Sequence, residues 1–167
     1  MRDLVQFGEF DAQWDARSCF YLSIDPGLCT GWAAWDRPGE NKHGQLEFRL
    51  HACGVGTPPD CEKHLAIECP QVYPNQPVPP NDLITLAIQV GRYAQLALGF
   101  GSRVTTVLPH EWKGNMPKDV CAARIMKALS AEERAIVDAV KLPKTKRHNM
   151  LDAIGIGLYA FRREVKI

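Results

Sequence analysis

A chain of 167 residues with 46% apolar and 23% charged residues has the length for one domain with a full core and the composition of an ordinary globular protein. No apolar run approaches the ~20 residues that cross a bilayer, and the acid-rich start holds no stretch fit for a signal peptide, which points away from membranes and toward the cytoplasm. The net charge of +1 hides an asymmetry: residues 1–102 carry 7 basic against 12 acidic side chains and residues 103–167 carry 13 against 7, so a surface for a polyanion belongs in the second half.

Residues 1–17 read as an extension ahead of the fold, with Trp14 available to pack back on the body. One domain then occupies 18–167. The run 18–24 is apolar and strand-like, and Pro26, Gly27 and Gly31 punctuate the turn that follows. Residues 32–35 continue as a second strand, so the pair reads as a hairpin. Residues 45–55 alternate as a third strand, and 64–68 form a fourth. Five prolines between 69 and 81 forbid regular structure and mark an ordered loop beside a site. Asn81 is placed to cap a helix over 82–98, whose apolar residues recur at helical spacing. Residues 103–109 read as a fifth strand. Helices follow from 117 or 118 to 129 and over 131–140, the latter opened by a capping box of Ser130 and Glu133. The last helix runs over roughly 150–163 with Asn149 as its cap; Gly155 and Gly157 let it lie close against a sheet. The six cysteines include no CxxC pair and read as reduced thiols filling core space.

Three acids stand out within this pattern. Asp25 and Glu68 end strand-like apolar runs, and Asp152 falls in the first turn of the last helix. Singly, the first two suit a turn residue and a solvated strand end. Together, in apolar contexts, they call for a compensating charge, and a divalent metal is the usual one. His148 and Asn149 precede Asp152 by four and three residues, so either could share its helix face. His148 is the better ligand on chemical grounds, with contact to phosphate as its other reading. An Asp-x-Gly hairpin also occurs in actin-like ATP-binding folds, but those need two such domains. Lys144, Lys146 and Arg147 form a basic cluster leading into His148. Pro117 and Lys118 at a helix start suit a phosphate.

The acids at 25, 68 and 152, with the Trp112-Lys113-Gly114 and Pro117-Lys118 segment, resemble the RuvC-like Holliday-junction resolvases of the RNase H-like nuclease superfamily, nearest their phage-encoded branch. The resemblance implies an α/β, RNase H-like fold: a central five-stranded mixed sheet with helices on both faces. It implies two Mg²⁺ or Mn²⁺ ions held by Asp25, Glu68, Asp152 and His148, with Asn149 as the alternative to His148. His148 could instead serve as general base. DNA contact is expected from Trp112, Lys113, Lys118, Lys144, Lys146 and Arg147, with Trp112 either stacking on a base or packing under its loop. The implied activity is paired nicking of four-way DNA by a homodimer, with 5′-phosphate and 3′-hydroxyl products. The 82–98 helix, carrying Ala87, Gly91 and Ala94, is the candidate dimer face. A hybrid-cutting RNase H-like enzyme and a non-catalytic branched-DNA binder are the other readings.

Overall fold

The computed structural model describes residues 18–36, 48–72 and 79–161. The expected extension with Trp14, the start of the third expected strand and residues 73–78 of the proline loop lie outside these. Five strands form one sheet: β1 (Ser18–Asp25), β2 (Gly31–Asp36), β3 (Arg49–Val55), β4 (Asp60–Glu68) and β5 (Arg103–Val107), in the order β3-β2-β1-β4-β5. β1, β2 and β3 pair antiparallel, while β4 pairs parallel with both β1 and β5. The expected mixed sheet is therefore the one observed. β4 begins earlier than expected, at Asp60, because its first residues also alternate and bury Cys61.

Side-chain parity divides the core between the two faces of the sheet. Leu22, Ile24, Leu65 and Ile67 face α1 (Pro80–Gly99), which buries Val90 and Ala97 against them. Ala33, Trp35, Leu50, Cys53 and Ala66 face the other way, toward α3 (Lys118–Ala128), α4 (Ala131–Ala139) and α5 (Lys144–Ala160). Helices thus cover both faces, as expected. Ser23 lies on the α5 face, where its hydroxyl donates to the Ala153 carbonyl at 2.7 Å and accepts from the Trp35 indole at 2.8 Å.

Three further boundaries differ from expectation. α1 starts at Pro80, after Pro79, so Asn81 is not its cap. The fifth strand stops at Val107, and a short helix, α2 (Pro109–Trp112), follows. α5 starts at Lys144 behind Pro143, well before the expected start. Proline at a helix entry sacrifices no internal hydrogen bond, so Pro143 is a better boundary than Asn149. Asp152 consequently sits mid-helix, beside the ends of β1 and β4.

The capping box of Ser130 and Glu133 forms as expected. Glu133 is also buried and accepts from Leu50 N–H at 2.8 Å, fastening β3 to α4. The α5 glycines are needed for close approach, though not both to the sheet. A Cβ on Gly157 would overlap the Trp35 ring of β2, and one on Gly155 would overlap Trp112 and Ile125.

Candidate active site

Parity and register bring the first two acids together. Ile24 pairs with Ile67 across β1 and β4, and one residue further on come Asp25 and Glu68. Both project on the same face as Ser23 and Ala66, which is the face α5 covers. There Asp152 meets them, and all three line one cleft of about 450 Å³. His148, one turn before Asp152 on α5, lines it too, as do Lys113 and Lys118.

The cleft is short of positive charge. Burial, then the neighbouring charges of Glu68 and Asp152, push the Asp25 carboxyl well above the usual carboxylate range, with Lys113 and Lys118 pulling the other way. Burial also raises Glu68, while Lys113 and the Trp112 indole oppose it. Lys113 Nζ stands 3.3 Å from Glu68 Oε2 and 3.5 Å from Asp152 Oδ2. Burial works against that ammonium, but Glu68, Asp152 and Asp25 outweigh it and raise its pKa. Among the described residues no group of three or more His, Cys, Asp and Glu side chains encloses an ion as it stands. Two lysines beside three carboxylates leave one negative charge, which Asp25 relieves by holding its proton and a bound cation could relieve instead, and oxygen donors with one imidazole suit a hard divalent ion.

Two residues expected on DNA have other partners. Trp112 is 3% exposed, so it cannot stack on a base as it stands; its indole N–H donates to Glu68 Oε2 at 2.7 Å. The cause is α2, which turns the ring under the site against α5. The signal was present in the sequence: Pro109 after a strand, with Glu111 three residues past Leu108, whose N–H the Glu111 carboxylate accepts at 2.6 Å. Lys113 follows Trp112 and points into the carboxylates, lying 4.7 Å from the indole ring centre.

The remaining expectations divide. Lys118 opens α3 at the cleft. Lys144 and Lys146 are exposed on the first turn of α5 and do not line the cleft. Arg147 is paired with Asp138 at 2.7 Å. Asn149 is no cap: its side-chain amide donates to the Cys29 carbonyl at 2.8 Å and ties α5 to the turn after Asp25.

No protein-family model matches this chain, and no curated protein matches it. Solved structures do. The Thermus thermophilus RuvC structure superposes with a TM-score of 0.50 at 16% identity, covering 85% of this chain and 95% of that one. T. thermophilus RuvC in complex with Holliday junction substrate gives 0.48 at 17% identity, covering 87% and 96%. The sheet order, the helices on both faces and the first of these superpositions agree: this chain has the RuvC form of the RNase H-like fold.

Proposed function

We propose that this chain is a metal-dependent endonuclease that resolves four-way DNA junctions by paired symmetric nicks, leaving 5′-phosphate and 3′-hydroxyl ends. The observation that supports this most is the convergence of Asp25, Glu68 and Asp152 in one cleft with too little positive charge. Phosphate transfer to water is achieved largely by positioning and by neutralising developing charge, and such a cleft is suited to both. The residues that would hold a pair of Mg²⁺ or Mn²⁺ ions are Asp25, Glu68, Asp152 and His148, which line the one cleft. When bound, such ions activate water and stabilise the leaving 3′-oxygen.

The chain's own residues supply the rest. Trp112 fixes the Glu68 carboxylate through its indole N–H. The Lys113 ammonium holds Glu68 and Asp152 toward each other and can turn to a phosphate oxygen once other charge balances them. Lys118, at the entry of α3, meets the strand's phosphates with free backbone N–H groups beside it. In its alternative role His148 leaves the ion to Asp152 and takes a proton from an attacking water instead. Exposed Lys144 and Lys146 contribute general attraction to the backbone.

A junction has two-fold symmetry and one chain carries one such cleft, so paired nicks imply a homodimer. The outward face of α1 supports this role: Ile84, Ile88 and Leu98 are each more than half exposed, and Gly91 between them leaves open space. Val90 and Ala97 bind the same helix to its own sheet. The Trp-Lys-Gly and Pro-Lys segment points to the phage-type branch, acting in the cytoplasm where its DNA is. The test is incubation with labelled four-way junction, fork, RNA–DNA hybrid and linear duplex, each with Mg²⁺ or Mn²⁺. Junction cutting at rates well above the other three is expected; preference for the hybrid would transfer the chain to the RNase H-like reading.

A further inference from the structure

Leu28 is 98% exposed, yet it stands three residues after Asp25 and lines the same cleft. Single exposed leucines are common and need no explanation. This one differs in its mounting. Thr30 Oγ1 donates to the Gly27 carbonyl at 3.3 Å, and the Tyr93 hydroxyl of α1 reaches Thr30 Oγ1 at 3.2 Å. Asn149 of α5 holds the Cys29 carbonyl, and Gly56 N–H donates to the Thr30 carbonyl at 2.8 Å. The turn is therefore fastened from three sides while its apolar tip projects into solvent. Half-buried Leu86 of α1 lines the cleft with it, whereas the charges belong to the carboxylates, Lys113 and Lys118.

We propose that Leu28 is a wedge that packs against the base beside the scissile phosphate and unstacks it. The inference rests on the nuclease reading above. A nucleotide strand offers charge on one side and an uncharged base on the other. With phosphate drawn to the lysines and carboxylate-bound charge, the base lies along the lip formed by Leu28 and Leu86. Leucine is among the side chains that enter between base steps. Unstacking costs least where pairing is already broken, so the wedge selects branch points over continuous duplex.

The nick position is first mapped with the wild-type protein. Single-turnover cleavage by wild type and Leu28→Ser is then compared on a fully paired junction and on one mismatched at the nick. Leu28→Ser is expected to cut the paired junction about tenfold more slowly and the mismatched one within about threefold of wild type. Its melting temperature is expected to match wild type, since the side chain touches solvent in the free protein, and its junction affinity to change by less than the rate, since the packing it gains on DNA is offset by the unstacking. Wild-type rates on the paired junction, or equal slowing on both substrates, would overturn the wedge and leave the nuclease reading intact. Failure of the wild-type protein to cut either junction would overturn that reading, and the wedge with it.

Discussion

Asp25 and Glu68 end apolar strands and Asp152 faces them from α5, a placement with opposite effects on stability and chemistry. The folded protein holds Asp25 protonated at pH values where the unfolded chain, with a carboxyl near 3.8, has released its proton. Between those limits the folded state binds more protons, so stability falls as pH rises. Asp25→Asn is therefore expected to melt higher than wild type at neutral pH without divalent ions, by about 2–4 °C for each kcal/mol of burial and repulsion cost relieved. The gap should close toward about pH 4, where the wild-type carboxyl is neutral as well. A thermal scan across pH checks this; a variant that melts lower at neutral pH contradicts it. The same substitution, like Glu68→Gln and Asp152→Asn, is expected to abolish cleavage while leaving junction binding. Trp112→Phe keeps most of the ring but strands the Glu68 carboxylate without its N–H, so activity should fall about tenfold or more for a stability cost of roughly 1–3 kcal/mol. A cleavage assay beside a denaturant melt separates the two effects. Asp25, Glu68 and Asp152 were legible because acids set against apolar runs are unusual. For Trp112 the sequence leaves packing under its loop open beside stacking, and the buried ring takes that reading; the inward turn of Lys113 was not legible, because a four-residue helix has too little periodicity to show which way it faces.

At the scale of elements, strand parity carries most of the site. Parity puts Asp25 and Glu68 on one face because β1 and β4 are neighbours in register, whereas the sequence shows only two apolar strand-like runs, since a pairing so distant along the chain leaves no local pattern. The start of α5 was misjudged because Asn149 has the chemistry of a cap, yet its amide is used on the Cys29 carbonyl instead. His148→Ala is expected to remove most activity with the fold intact. Asn149→Ala should release the turn that follows Asp25 and carries Leu28, costing about 1 kcal/mol and a smaller part of the rate. Activity lost only in the Asn149 variant would reverse that assignment. Glu133 was legible as a capping residue but not as the anchor of β3, since its second partner, Leu50, is distant in sequence. Glu133→Ala should cost about 2–4 kcal/mol, more than a simple cap, because it leaves buried N–H groups of both elements unpaired. Chemical denaturation measures it, and a loss below about 1 kcal/mol would mean the tie to β3 contributes little.

For the whole molecule, the basic second half of the chain places Lys113 and Lys118 at the cleft, and Lys144 and Lys146 exposed outside it, while Arg147 is taken by Asp138. Lys118→Ala and Lys144→Ala should each weaken binding to every DNA. Each should also flatten the plot of log affinity against log salt, by about 0.9 in slope for every phosphate no longer neutralised. A charge on the outer face of α1, such as Ile88→Glu, should yield monomers that still nick but no longer cut in pairs. If the Asp25, Glu68 and Asp152 cluster cuts branched DNA as proposed, a junction labelled on all strands and incubated with Mg²⁺ should separate wild type from Asp152→Asn. Symmetric, ligatable nicks are expected from wild type and none from the variant, with both proteins binding the junction equally; cutting by Asp152→Asn at the wild-type rate would overturn the proposed site.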